Sequence, residues 1–112
     1  MNFEKERRGD IVIEKINIER ATYREADEFR KFILEDFEKG SKKIIVDMKP
    51  CEFIDSTFLG VLLYSLKQIQ KSDGILKLAA IHDDAKVLLD ITRISEMFDI
   101  YPDADTAIQS FN

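Results

Sequence analysis

The chain has 112 residues, of which 45% are hydrophobic and 35% are charged, and its formal net charge is −5. This is the length of one compact domain, and a globule of this size buries roughly two thirds of its unfolded surface, so disorder is not expected. The 17 basic residues are interleaved with 22 acidic residues and form no basic stripe, which makes nucleic acid a poor candidate partner.

Cysteine content and hydropathy bear on where the protein works. The single cysteine, Cys51, cannot form an internal disulfide, and the charged start of the chain lacks the apolar segment of a signal peptide. The longest apolar stretch, residues 58–64, is far shorter than the ~20 residues that a membrane-spanning helix needs. We therefore expect a cytoplasmic protein without a membrane partner.

The first part of the chain changes from a strand pattern to a helix pattern. Residues 11–18 (IVIEKINI) alternate and are rich in β-branched side chains, which predicts a strand. Residues 3–7 predict a weaker strand, paired with the first in antiparallel fashion through a turn at 8–10. From residue 22 to 39 the apolar side chains recur at helical spacing, and Gly40 is placed to end the helix.

The remainder alternates between strands and helices. The run KKIIVDM is typical of a strand that is buried on both faces in a parallel sheet. The further predicted elements are a helix from about residue 57 to 72, a strand at 75–81, a helix capped by Asp83 or Asp84, a short edge strand at 97–101 and a closing helix at 103–111. This alternation implies parallel pairing through right-handed crossovers. The predicted fold is α/β: one domain, residues 1–112, with a mostly parallel central sheet, an N-terminal antiparallel edge strand and about four helices.

Residues suited to catalysis are few. Cys51 would need a nearby base to act as a nucleophile, and His82 is the one imidazole in the chain. Such a cysteine is more commonly a partly buried small residue, and such a histidine is more commonly a loop residue near a helix start. The sequence contains no Cys/His metal spacing and no glycine cluster for a nucleotide phosphate, so no cofactor is expected.

A polar triplet interrupts the apolar part of the chain. Asp55, Ser56 and Thr57 lie between Phe53-Ile54 and the apolar run at 58–64, at the predicted start of a helix. Asp or Ser at such a place accepts hydrogen bonds from the free backbone N–H groups of the first turn. Capping is the common explanation for such a triplet, and its spacing alone does not decide between capping and a functional role.

The triplet lies within a longer segment that resembles the STAS domain family, and within it the bacterial anti-sigma factor antagonists. The most specific piece is FIDSTFLGVLL, which is similar to the family motif of Phe or Met, Asp, Ser, Ser or Thr, Gly, Leu, Gly and aliphatic residues. IIVDM before it and LLDITRISEMFDIYPDADTAI after it support the match. The similar segment covers about two thirds of the chain in register.

The resemblance implies a non-enzymatic switch. The unphosphorylated antagonist binds an anti-sigma factor that is also a serine kinase with a histidine-kinase-like ATPase fold, and this frees the sigma factor. Phosphorylation by that kinase ends the interaction, and a PP2C-type phosphatase restores it. The phosphorylated serine directly follows the motif Asp, which makes it Ser56 here. The partner-facing patch implied by the family comprises Asp55, Ser56, Thr57, Phe58 and Leu59.

The chain departs from the family pattern at two places. Phe58 stands where many relatives have Gly, and its ring is expected to be exposed, where it adds a hydrophobic contact or changes which kinase is accepted. The Gly-x-Leu-Asp stretch of the family is absent between the second strand and the first helix. Asn17 or Glu19 stands near that position, and neither is assigned a role.

Two other functions stay open at this point. One is a scaffold, or the small subunit of a stress-signalling or lipid-transport complex, whose association is indifferent to Ser56. The other is a small thiol or acid–base enzyme that uses Cys51, His82 or the acidic surface, and no spacing in the sequence favours it.

Overall fold

The computed structural model describes residues 2–112 and is an α/β structure built on one main sheet. In chain order its elements are β1 (Phe3–Arg8), β2 (Ile11–Ile16), β3 (Arg20–Ala21), α1 (Tyr23–Glu38), β4 (Lys43–Asp47), β5 (Phe53–Ile54), α2 (Ser56–Lys71), β6 (Ile75–Ala79), α3 (Asp83–Ile91), a 3-10 helix (Ile94–Met97), β7 (Asp99–Tyr101) and α4 (Ala104–Gln109). The main sheet has the order β1-β2-β4-β6-β7. β1 and β2 pair antiparallel and the other pairs are parallel, which confirms the predicted fold class.

The N-terminal hairpin forms as the sequence predicts. β1 and β2 are joined by a two-residue turn, with Arg8 opposite Ile11. Gly9 has a φ of +62°, a left-handed conformation that glycine adopts without a steric cost. The hairpin therefore places β1 at the edge of the sheet and feeds β2 into the parallel part.

The central strand β4 is covered on both faces. Ile44 and Val46 belong to the large core beneath α1, α2 and α3, and Ile45 belongs to a smaller core with Ala107 of α4. Successive side chains of a strand point to opposite faces, so a continuous β-branched run serves a strand with helices on both sides. The prediction that KKIIVDM is a doubly buried strand is confirmed.

Helix α1 lies within one residue of the bounds predicted for it, and Gly40 follows its end as predicted. The Thr22 hydroxyl accepts a hydrogen bond from the Arg24 amide, and the Glu25 carboxylate accepts one from the Thr22 amide, which completes a capping box. After the helix, Gly40 adopts a φ of +95° and its amide donates to the Phe37 carbonyl. Within residues 2–112, no helix is long and apolar enough to cross a membrane.

Some local details differ from the sequence prediction. Helix α2 begins at Ser56, one residue earlier than expected, because Asp55 is its N-cap. The N-cap of α3 is His82, without a side-chain hydrogen bond, so the prediction that Asp83 or Asp84 caps this helix is wrong. Both aspartates instead lie in the first turn, where carboxylates interact favourably with the helix dipole.

A buried charged cluster lies between the hairpin and α1. Glu14 of β2 and Asp36 of α1 are both fully buried, and Asp36 accepts a hydrogen bond of 2.6 Å from Lys5 Nζ of β1. The Arg7 guanidinium approaches the same carboxylate at 3.9 Å. Burial, and then the neighbouring Asp36 carboxyl group, raise the pKa of Glu14 well above its usual value of 4.5. Burial opposes ionisation of Asp36, but the neighbouring Glu14 carboxyl group and the hydrogen bond from Lys5 outweigh it and lower the pKa of Asp36.

Candidate functional site

The two-stranded sheet brings two helix starts together. β3 and β5 are parallel, with Arg20 opposite Phe53 and Ala21 opposite Ile54. β3 leads directly into α1 and β5 leads directly into α2, so the N-termini of the two helices lie side by side. The carbonyl of Glu19 also accepts hydrogen bonds from the amides of residues 52 and 53, which extends this pairing by one step. Glu19, which had no assigned role, thus supports the site through its backbone.

Asp55 ties the two helix starts to each other. Its Oδ1 accepts a hydrogen bond of 2.8 Å from the Phe58 amide in the first turn of α2. Its Oδ2 accepts one of 2.8 Å from the Tyr23 amide, the first residue of α1. The carboxylate therefore satisfies a free N–H group of each helix, at the ends where the helix dipoles favour a negative charge. The capping explanation is confirmed for Asp55.

The two hydroxyl residues of the triplet are exposed. Ser56 and Thr57 are the first two residues of α2, and both side chains face solvent. Because Asp55 supplies the cap, Ser56 is not needed as a capping residue. The chain thus presents an exposed serine hydroxyl at a helix N-terminus, beside a second helix N-terminus, without a structural task that its modification would abolish.

Phe58 and Leu59 lie in the core rather than on this surface. Phe58 is 0% exposed and Leu59 is 2% exposed. With Asp55 as N-cap, Phe58 shares the inward face of α2 with Leu62, Leu66 and Ile69. The expectation that the Phe58 ring is exposed is therefore wrong, and neither side chain is available for direct partner contact in this structure. The helical spacing of Phe58 from Leu62 was the signal in the sequence that indicated this burial.

An arginine–aromatic patch, formed by Arg20, Tyr23, Arg24 and Phe53, borders the exposed hydroxyls. The Tyr23 side chain is 63% exposed, and Arg24 Nε lies 3.4 Å from the Tyr23 hydroxyl. The Arg20 guanidinium lies 4.2 Å from the centre of the Phe53 ring. Sequence analysis did not find this patch, because its members lie up to 33 residues apart and meet only through the β3–β5 pairing.

The residues considered for catalysis do not form a catalytic arrangement. Cys51 is fully buried and its thiol lies 3.4 Å from the Phe53 carbonyl oxygen. Burial raises the pKa of the Cys51 thiol, which disfavours the nucleophilic thiolate. His82 is exposed and its Nε2 contacts the Lys49 carbonyl. Within residues 2–112, no group of three or more His, Cys, Asp or Glu side chains is arranged to hold a metal ion.

Replacing Asp55 by Ala is expected to lower the free energy of unfolding by about 1–2 kcal/mol, because two helix-start amides lose their acceptor. Chemical denaturation of the wild type and the variant measures this difference. Asp103→Ala is a matched control, since Asp103 caps α4 through a single amide, that of Thr106, at 2.7 Å. A loss at Asp55 no larger than the loss at Asp103 would contradict the double role of Asp55.

Comparisons of the sequence and of the structure with known proteins point to the same family. The sequence pattern of the STAS domain family matches residues 2–107. A Thermotoga maritima protein, described as a candidate anti-sigma factor antagonist, is 30% identical over 105 residues, covering 89% of this chain and 88% of the relative. The crystal structure of a T. maritima protein of the same description superposes with a TM-score of 0.91 at 28% identity, covering 96% of this chain and 92% of the other.

More distant structures share the fold. The anti-sigma factor antagonist SpoIIAA in its unphosphorylated form has a TM-score of 0.74 at 17% identity, with 97% of this chain and 96% of that protein covered. The parallel sheet, the antiparallel N-terminal pair and the helix that starts at Ser56 are thus features of a known domain type. The chain belongs to the STAS domain family.

Proposed function

We propose that the protein is an anti-sigma factor antagonist that is switched by phosphorylation of Ser56. The observation that carries the proposal is the exposed Ser56 hydroxyl at the start of α2, directly after the Asp55 cap. The descriptions of the Thermotoga relative and its structure support an antagonist function.

The proposed partners are those that the resemblance to anti-sigma factor antagonists implies. The unphosphorylated protein binds an anti-sigma factor serine kinase with a histidine-kinase-like ATPase fold, and the sigma factor is released. The kinase phosphorylates Ser56 and thereby ends the interaction, and a PP2C-type phosphatase returns the protein to its binding state. The protein acts in the cytoplasm, has no catalytic activity of its own and needs no resident cofactor.

The position of Ser56 explains why modification changes binding and not folding. A phosphate adds a charge of about −1.5 to −2, and the N-terminus of a helix tolerates an anion because its N–H groups and dipole are positive. The Asp55 hydrogen bonds that hold the two helices do not involve the serine side chain. The phosphate therefore acts at the partner interface, through its bulk and its negative charge.

The partner surface comprises the exposed residues around Ser56. Thr57 and the exposed Tyr23 are its neighbours on α2 and α1. Asp55 contributes as the group that holds these two helix starts in register. Phe58 and Leu59 support the surface from below and do not contact the partner directly.

Affinity capture tests the proposal. Wild-type, Ser56→Ala and Ser56→Asp proteins are used as baits in a lysate of the source organism, and retained proteins are identified by mass spectrometry. We expect the Ala bait to retain a histidine-kinase-like ATPase and the Asp bait to lose it at least about tenfold, although a carboxylate carries less charge than a phosphate. Ser72→Asp, which adds the same charge at the exposed C-terminal end of α2, serves as the control and should bind as the wild type does.

Three outcomes contradict the proposal. Equal retention of the same partners by all baits would indicate a scaffold without a phospho-switch. Stoichiometric phosphorylation of the Ser56→Ala protein by the captured kinase would exclude Ser56 as the acceptor. Turnover that is lost in a Cys51 or His82 variant would indicate an enzyme.

A further inference from the structure

Two arginines beside Ser56 have no carboxylate partner. Arg7, Arg8 and Arg30 each lie within 4 Å of a carboxylate, whereas no carboxylate lies that close to Arg20, Arg24 or Arg93 among residues 2–112. Of these three arginines, Arg20 and Arg24 lie at the paired helix starts. The other contacts of these two guanidinium groups are with aromatic side chains: the Phe53 ring for Arg20, and the Tyr23 ring and hydroxyl for Arg24. The N–H donors of both guanidinium groups are therefore available to an anionic acceptor, although Glu19 and Glu52 are exposed in the same segments.

The backbone places both arginines close to the serine. Ser56 follows Asp55, and Arg24 follows Tyr23, so each is one residue away from the 2.8 Å hydrogen bond between the Asp55 carboxylate and the Tyr23 amide. Arg20 is opposite Phe53, three residues before Ser56. Both arginine side chains are exposed, as is the serine. The three side chains therefore share one surface at the paired helix starts.

The electrostatics of this surface favour an anion. Arg24 lies in the first turn of α1, where the positive end of the helix dipole disfavours a cation. The start of α2 adds a second positive dipole end beside it. Of the nearby carboxylates, Asp55 binds two helix amides and Glu25 binds Thr22, while Glu19 and Glu52 are exposed and lie more than 4 Å from both guanidinium groups. An anion held here supplies the close acceptor that the two guanidinium groups lack.

We propose that Arg20 and Arg24 form a clamp that binds the phosphate of phosphorylated Ser56, a proposal that rests on the modification of Ser56 proposed above. Guanidinium groups bind phosphate oxygens through paired N–H donors, and such charge-assisted bonds are among the strongest in proteins. The long contact of Arg24 with the Tyr23 hydroxyl, 3.4 Å, is readily exchanged for a phosphate bond.

The clamp gives the switch a second effect. Phosphorylation adds bulk and charge at Ser56, and it also withdraws Arg20 and Arg24 from contact with a partner. In the modified protein the two guanidinium charges face a phosphate charge of about −1.5 to −2 and are no longer available to a partner. An acidic partner surface thus loses its complementary charges in the same step in which it meets the phosphate.

Phosphorus NMR tests the clamp without any partner protein. Phosphoserine is incorporated at position 56 during expression, and the second pKa of the phosphate is measured by titrating its 31P chemical shift. The charged residues of the paired helix starts are Arg20, Arg24, Glu19, Glu25, Glu52 and Asp55. We expect the phosphate pKa to rise by about half a unit or more in the Arg20→Gln and Arg24→Gln double variant, because the dianion loses two positive neighbours.

Arg30→Gln is the matched control, since Arg30 is an exposed arginine of α1 whose guanidinium is paired with Asp27 at 2.6 Å. It should leave the phosphate pKa unchanged, and Arg24→Lys should raise it less than Arg24→Gln does. A phosphate pKa that is the same in the wild type and in the double variant, with circular dichroism showing both folded, overturns the clamp. If the phosphate pKa shows the clamp but the Ala bait captures no kinase, the clamp stands and the proposed function is rejected. If the Ala bait captures the kinase but the phosphate pKa does not change in the double variant, the proposed function stands and the clamp is rejected.

Discussion

Replacing Phe58 by Ala is expected to lower the free energy of unfolding by about 3–5 kcal/mol. Phe58 is fully buried, and its ring centroid lies 5.0 Å from that of Phe29 and 6.5 Å from that of Phe3. These rings come from α2, α1 and β1, so truncation opens a cavity where three elements meet. A domain of this size is stable by about 5–15 kcal/mol, which makes this loss a large part of the total.

Two further variants show whether the loss comes from the core. Phe58→Leu should cost less, because leucine refills most of the volume. Tyr23→Ala removes an aromatic ring that is 63% exposed and should change stability by no more than about 0.5 kcal/mol. Denaturant unfolding curves of the three variants provide the comparison. A Phe58→Ala loss as small as that of Tyr23→Ala would place the Phe58 ring on the surface after all.

Stability is expected to fall as the pH rises above about 4.5, through Glu14. The pKa of Glu14 in the folded protein is raised well above 4.5, so between 4.5 and this raised pKa the native state holds a proton that the unfolded state has lost. Stability therefore decreases with increasing pH from 4.5 until the folded pKa of Glu14 is passed. The slope due to one proton is at most about 1.4 kcal/mol per pH unit.

The charged groups that face Glu14 explain this direction. Asp36 approaches from α1 and Lys5 from β1, while the neighbouring position on β4 is the apolar Val46. Neither carboxylate oxygen of Glu14 has a hydrogen-bond donor among residues 2–112, so the buried carboxyl group is favoured in its protonated form. Lys5 instead binds Asp36. Because the pKa of Asp36 is lowered, the stability that the ionised Asp36 contributes is lost only at acidic pH.

The Glu14→Gln variant isolates this effect. Glutamine keeps the shape and does not ionise, so its unfolding free energy should depend less on pH than that of the wild type over the same range. Glu4→Gln removes an exposed carboxylate from β1 and should leave the wild-type slope unchanged. Denaturation at a series of pH values measures the three slopes. Parallel slopes for the wild type and Glu14→Gln would reject a protonated Glu14.

The predictions for Phe58 and Glu14 concern the stability of the fold. They matter for function because the fold positions the site around Ser56. Asp55 holds α1 and α2 together at their starts, and the aromatic cluster holds the same helices together below. The phosphate proposed for Ser56 would therefore lie on a surface that both sets of contacts hold in place. This arrangement is suited to a switch that changes a surface and leaves the fold unchanged.

Most of the architecture could be predicted from local patterns in the sequence. The period of a helix or strand decides which of its side chains face the core. The β-branched run of β4 and the helical spacing of apolar residues in α1 and α2 therefore predict these elements from the sequence. Gly40, Thr22 and Asp103 end or begin helices through hydrogen bonds within a few residues. Such signals are local, and the structure confirms the elements that they predict.

The features that the sequence did not predict depend on contacts between distant segments. β3 and β5 are two residues long, too short to show a period, and they form because their parallel pairing aligns residues 20–21 with 53–54. The second hydrogen bond of Asp55, to Tyr23, joins residues that are 32 positions apart. The position of Arg20 and Arg24 beside Ser56 follows from the same pairing and has no local signal.

The sequence by itself determined the class of fold, the family motif and the serine that the motif singles out, because each of these resides in the order of neighbouring residues. The tertiary structure alone decided that Asp55 also caps α1 and that Arg20 and Arg24 share the surface of Ser56. Burial and proximity depend on how distant elements pack, and packing is a property of the folded chain as a whole.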